Sequence, residues 1–180
     1  MNKVFVFLFF LVTNSAIAQI SIKDAFPNGV GLVDLGLSVK WASCNIGASS
    51  PEDIGEYFSW TKQLNYSVGN FRLPNRNEVD ELIEKCSWSY TKNNGIKGYK
   101  VVGPNGNSIF LPLGGQNING YFGSQSKPKI RLKGKKGLYW ISQYEDRNTH
   151  YFLTIGESRF VDCDWLPFSV IAIPIRLVSK

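Results

Sequence analysis

The run Asn70-Phe71-Arg72-Leu73-Pro74-Asn75-Arg76-Asn77-Glu78 constrains the fold more than any other part of this chain. Pro74 keeps Leu73 out of the helical region of backbone space, so the Phe-Arg-Leu side is extended. Asn75 offers a side-chain oxygen to the free amides of a helix start. Glu78, three positions on, is placed to return a bond to the Asn75 amide and complete a capping box. Val79, Leu82, Ile83 and Cys86 then fall on one helical face. The stretch predicts an extended segment that runs directly into an amphipathic helix over 75–86.

The N-terminus points to export. Lys3 supplies a positive start, Val4 to Val12 is almost wholly apolar, and Ala16-Ile17-Ala18 has the small-x-small form of a signal-peptidase site before Gln19. That apolar run is too short for a bilayer core of about 30 Å. We expect a signal peptide over 1–18, an extension over 19–30 and one domain over 31–180. The product is expected in the periplasm, on the cell surface or outside the cell, with no membrane span.

Elsewhere helix signals are few. Gly36 predicts a turn, after which Leu37, Val39 and Trp41 alternate inward. Ser50-Pro51-Glu52-Asp53 reads as a second helix start, stopped by Gly55. Tyr57 to Trp60 and Trp88 to Thr91 read as strands. Asn93-Asn94-Gly95 is a turn, and Gly98–Val102 with Ser108–Leu111 forms a hairpin about Pro104-Asn105-Gly106. Residues 114–136 read as a long surface loop. Leu138–Ser142, Tyr151–Ile155, Ser158–Val161 and Ser169–Val178 read as closing strands.

The net charge of +6 is concentrated in Lys127, Lys129, Arg131, Lys133, Lys135 and Lys136. A nucleic-acid patch fits that composition, but an export signal argues against such a partner. A solvated loop or a lysine-guarded edge strand fits as well, with attraction to acidic glycans or an anionic cell surface as its functional variant. Cysteine occurs at 44, 86 and 163, so one intrachain bridge at most can form. Of the three pairings Cys44–Cys86 is favoured, and it would stabilise by about 4 kcal/mol. The competing reading is three small buried hydrophobes.

A set of motifs resembles exported paralogous domains abundant in gut Bacteroidetes, a group that includes the Fibrobacter major paralogous domain. The resemblance rests on Val33-Asp34-Leu35-Gly36-Leu37-Ser38-Val39-Lys40-Trp41-Ala42-Ser43-Cys44, on Tyr57-Phe58-Ser59-Trp60 and on Phe71-Arg72-Leu73-Pro74 with Glu78. It continues through Asn107-Ser108-Ile109-Phe110-Leu111-Pro112, Gly137-Leu138-Tyr139-Trp140-Ile141-Ser142 and Ile175-Arg176-Leu177-Val178, and spans about residues 31–178. Two places depart from the pattern: the segment between Trp60 and Phe71 is short, and Phe168 to Ile173 replaces the usual ending. The group is similar to the C-type-lectin-like superfold shared with formylglycine-generating enzymes. That implies an α+β domain, with two short helices around small antiparallel sheets and long loops.

Catalytic residues are hard to assemble. His150 is the only histidine, and its place at a strand start favours a structural role. The paired C-terminal cysteines of formylglycine-generating enzymes are absent. Asp162 and Asp164 offer oxygens to calcium, but the sugar-binding signatures of calcium lectins are missing and calcium needs six to eight ligands. We therefore expect no catalytic residues and no required cofactor. Tyr144, Arg147, Asp162, Asp164 and Trp165 are the expected ligand-binding residues, because aromatic faces stack on sugars or apolar partners while charged groups give directional bonds. The expected function is a secreted, non-enzymatic module that recognises a glycan or a protein on a cell surface through loops 143–148 and 162–166. The alternative is a structural subunit of an envelope or pilus-like assembly.

Overall fold

The computed structural model describes residues 22–26, 28–59, 67–118, 129–142, 150–164 and 171–180. The expected signal peptide lies outside the described residues. In chain order the elements are α1 (Ile22–Ala25), β1 (Leu32–Val33), β2 (Lys40–Ala42), β3 (Phe58–Ser59), β4 (Ser67–Val68), β5 (Phe71–Arg72) and α2 (Arg76–Lys85). There follow β6 (Ser87–Asn93), β7 (Ile96–Val102), β8 (Ser108–Pro112), β9 (Gln116–Ile118) and β10 (Lys129–Arg131). The chain closes with β11 (Gly137–Trp140), β12 (His150–Ile155), β13 (Arg159–Asp164), β14 (Ile171–Ile173) and β15 (Val178–Ser179).

These strands form four sheets, in the orders β1-β2-β15-β5-β4, β10-β9-β14-β3, β11-β12-β13 and β6-β7-β8. The expected α+β, C-type-lectin-like arrangement with two helices is not what forms. The described residues are β-rich, with 44% of them in strands and one helix longer than a single turn. The missing helix has a local cause. Asp53 accepts hydrogen bonds from the Ser49 amide at 3.0 Å, from the Ser49 hydroxyl at 3.2 Å and from the Gly55 amide at 3.2 Å. An aspartate that satisfies nearby backbone amides stabilises a turn in place of a helix. Gly55 then adopts φ +70°, and any Cβ there would overlap the Ile46 carbonyl.

The Arg-Leu-Pro elbow forms as expected. Asn75 Oδ1 accepts from the Glu78 amide at 3.0 Å, and Glu78 Oε2 accepts from the Asn75 amide at 2.9 Å. Arg72 closes a two-pronged ion pair on the same carboxylate, Nη1 to Oε2 at 2.8 Å and Nη2 to Oε1 at 2.6 Å. Val79 and Leu82 are buried, and Ile83 and Cys86 pack at the margin of the same core. Arg72 pairs in register with Val178, and the Ser142 amide donates to the Pro74 carbonyl at 2.8 Å. The elbow therefore joins α2 to the closing strand and to the exit of β11.

Two carboxylates of α2 make this region sensitive to acid. Burial alone would raise the Glu78 pKa, but Arg72 and the Asn75 amide overcome it and hold the group below its ordinary value. Lys85 and Ser38 pull Glu81 down to about 2. A depressed carboxylate contributes stability above its unfolded pKa, about 4.3, and loses it as pH falls through the folded value. Thermal unfolding should therefore show a flat midpoint from pH 7 to about 5 and a steep fall between about 4 and 2. A midpoint unchanged at pH 2.5 would contradict these assignments.

The long hairpin is set by its turns. Asn94 at φ 45° and Gly95 at φ 82° form a two-residue turn that matches strand twist, and they fix the register Asn93↔Ile96 and Lys92↔Lys97. Residues 114–136 are not simply a loop, since β9 and β10 pair antiparallel from Gln116↔Arg131 to Ile118↔Lys129. Of the expected 19–30 extension, residues 22–26 and 28–30 are described. Ala25 and Phe26 are fully buried, with the Phe26 ring 5.5 Å from that of Phe71, so the packed body begins before residue 31.

The Cys44–Cys86 bridge is not formed. Both are free thiols, Cys44 inside one apolar cluster and Cys86 at the margin of another. Burial pushes both thiol pKa values up, which suppresses the reactive thiolate.

The two clusters meet at Arg176, which is 1% exposed. Its Nε donates to Asn45 Oδ1 at 2.8 Å, Nη1 to the Ala42 carbonyl at 2.9 Å and Nη2 to the Phe110 carbonyl at 2.9 Å. Asn45 in turn donates to the Ile54 carbonyl at 3.0 Å. One guanidinium thus ties β2, β8 and the 44–54 segment together. No helix among the described residues is long and apolar enough to cross a membrane.

Candidate functional site

Of the five expected binding residues, Tyr144, Arg147 and Trp165 lie outside the described residues. Asp162 and Asp164 do not sit in a loop. They belong to β13, opposite Phe152 and His150 of β12. Among the described residues no group of three or more His, Cys, Asp or Glu side chains is arranged to hold a metal ion. The aromatic side chains described between 139 and 151 belong largely to the core. Trp140 is buried and donates to the Phe58 carbonyl at 2.7 Å. Tyr139 is buried and donates to the Pro112 carbonyl at 2.6 Å. His150 is 3% exposed and packs edge-on to Trp140, with ring centroids 6.3 Å apart. Arg159 lies over the rings of Trp88 and Tyr99, at 5.4 and 5.9 Å.

The surface that stands out chemically is the ridge 129–136. β10 is a sheet edge, and Lys129, Ile130 and Arg131 are all exposed. Leu132 takes φ 62°, and its carbonyl accepts from the Lys135 and Lys136 amides, each at 2.9 Å. The turn docks through backbone: the Gly134 amide donates to the Leu113 carbonyl at 2.7 Å, and the Gly115 amide to the Lys136 carbonyl at 2.8 Å. Gly115, at φ +68°, lets the 131–133 backbone approach so closely that a Cβ would overlap it. Because main-chain groups do the anchoring, the side chains of Lys129, Arg131, Lys133, Lys135 and Lys136 all remain exposed.

Two more cations join them. The Lys97 stem lies beside Gly134, and Lys92 stands opposite Lys97 in the β6–β7 register. The ion pairs formed between described residues are Arg72–Glu78, Arg76–Asp80 and Lys85–Glu81, none of which involves a ridge cation. Exposed Ile130 and Leu132 sit among the charges. Such a ridge repels itself and gains nothing from packing. It creates a positive field that a multivalent anion would neutralise. The sequence run displays Lys129 to Lys136 directly, whereas Lys92 and Lys97 were missed. The Asn94-Gly95 turn is the signal that places them together, because it fixes which residues face each other.

No family model matches the chain, and no curated protein or solved structure matches it significantly.

Proposed function

We propose that this chain is an exported, non-catalytic binding module that engages an acidic glycan on a cell surface. The observation behind this reading is the ridge: five cations held out by a backbone-anchored turn and joined by Lys92 and Lys97 of the β6–β7 hairpin, with no carboxylate paired to any of them among the described residues. The N-terminal signal pattern and the resemblance to exported paralogous domains of Bacteroidetes support the same reading. The burial of the sole histidine favours binding over acid–base chemistry. Tyr144, Arg147 and Trp165 are proposed to add directional contacts.

The test is retention of the exported chain on beads coated with a polyuronate or a sulfated polysaccharide, beside beads coated with a neutral one. Retention by the acidic beads alone is expected. The K133Q/K135Q/K136Q variant should bind about tenfold more weakly, since each surface ion pair contributes a few tenths to about 1 kcal/mol. Equal retention on neutral beads, or cleavage of the polysaccharide, would contradict the proposal.

One feature favours the second reading, a subunit of an envelope assembly. β6 is a seven-residue strand at the edge of its sheet, mostly exposed, with Lys92 as its only charge. Such an edge is a template for strand addition. Concentration-dependent oligomers in size-exclusion chromatography, lost on Tyr90→Pro, would favour that reading.

A further inference from the structure

A cleft of about 380 Å³ separates the β6-β7-β8 sheet from the β1–β2 wall. It shares only Lys92 with the ridge, and its width is fixed by three fastenings. At one end Glu52 accepts from Asn93 Nδ2 at 3.2 Å and from Asn94 Nδ2. At the other, Asn105 Nδ2 and Asn107 Nδ2 both donate to the Asp34 carbonyl, at 2.9 and 2.8 Å. Underneath, Arg176 binds the Ala42 carbonyl of one wall and the Phe110 carbonyl of the other. A gap held open by directional bonds on three sides is preorganised and does not close by small side-chain shifts.

Its lining is chemically specific. Lys100, between Ser89 and Phe110 in register, lines the gap and is the charged side chain that strand alternation puts on that face, since Lys92 stands opposite Lys97 on the other one. The acids at the two ends are already committed: the Glu52 carboxylate to the two asparagines, and Asp34 Oδ1 to the Gly36 amide at 2.8 Å. Ser43 accepts from the Gly31 amide at 3.0 Å, and its hydroxyl lies at the edge of the gap. Ser108 and Thr91 add hydroxyls, while Val33 and Pro51 present apolar surface. The volume falls at the lower end of the range for small-molecule sites, about 300–1,000 Å³.

The geometry points to this cleft as a binding site for a single carboxylated sugar unit, with Lys100 as the partner of the carboxylate. The hydroxyls meet the ring oxygens, and the apolar wall meets the C–H face. This goes beyond the ridge, which would attract an acidic polymer without reading its units. It stands whether or not the ridge binds anything.

The experiment is an NMR titration of the exported chain with glucuronate, glucose and inorganic phosphate, following the amides of Thr91, Lys100 and Ser108. Glucuronate should produce saturable shifts there. Glucose should bind the same residues about tenfold more weakly, as expected for loss of one charge-assisted bond. Lys100→Met, which keeps the stem and removes the charge, should bring glucuronate down to the level of glucose, and Lys100→Gln should do the same. The K133Q/K135Q/K136Q variant should titrate like the unmodified chain, which separates this site from the ridge. Absence of saturable shifts with glucuronate, or unchanged affinity in both Lys100 variants, would overturn the assignment. Phosphate binding as tightly as glucuronate would overturn the sugar class.

Discussion

Replacing Arg176 with alanine is expected to destabilise the protein by about 4 kcal/mol or more, enough to remove most of the stability of an ordinary domain. Three buried acceptors lose their donor at once: Asn45 Oδ1 and the Ala42 and Phe110 carbonyls. Each orphaned acceptor costs about 1–3 kcal/mol, against which stands the relief of no longer burying a charge. Burial pushes the guanidinium pKa down, yet arginine starts so high that it stays protonated. Arg176→Met keeps much of the volume and still orphans the acceptors, so it should be nearly as damaging. Arg176→Lys should rescue little, because a point ammonium does not reproduce a planar fork aimed at three separate acceptors. Chemical denaturation measures all three. A methionine variant as stable as the unmodified protein would show that the joint contributes packing alone.

Glu78→Ala should cost about 3 kcal/mol. The substitution removes the partner of Arg72, the acceptor of the Asn75 amide and half of the capping box together. Arg72 is about one-third exposed, so water compensates it in part and the loss stays below that of a fully buried broken pair. Glu78→Gln retains a side chain able to bond the Asn75 amide and should cost about 1 kcal/mol. The two variants also separate the origins of acid sensitivity. With glutamine at 78, the remaining loss between about pH 4 and 2 should trace to Glu81 together with Glu52 and Asp53, whose hydrogen bonds also hold their carboxyls down. Equal stability of the alanine and glutamine variants would mean that the cap contributes nothing.

What could be read from the chain follows the range of the interactions involved. The elbow at Arg72–Glu78 was legible because its bonds join residues within six positions of one another, and Pro74 admits few alternatives. The hairpin about Pro104-Asn105-Gly106 and the turn at Asn94-Gly95 were legible for the same reason. Ser50-Pro51-Glu52-Asp53 misled because the same residue types start helices and close turns. The choice was made by Asp53 bonding back to Ser49 and by Glu52 reaching Asn93 and Asn94, some forty positions away. The two-helix expectation fell with that segment. The cysteine pairing failed because apolar periodicity places Cys44 and Cys86 inward without saying which of two clusters each enters.

The site divides in the same way. The cationic run was visible as composition, but its exposure depends on Gly115 admitting the 131–133 backbone, which no local pattern announces. Lys92, Lys97 and Lys100 lie on one hairpin, and strand alternation sends Lys100 to the face opposite Lys97. Only the packing of the β1–β2 wall makes that second face a cleft. Asp162 and Asp164 were placed in a loop because the alternation of β13 fades near its end, where aspartates are more typical of turns.

We propose that the exposed cationic ridge holds an acidic glycan. This is tested most directly by the dissociation constant for a polyuronate, measured from about 50 to about 500 mM salt for the unmodified chain and for K133Q/K135Q/K136Q. Affinity should fall steeply with salt in the unmodified chain, with weaker binding and a shallower salt dependence in the variant. Tight binding indifferent to salt, or identical curves for the two proteins, would contradict it.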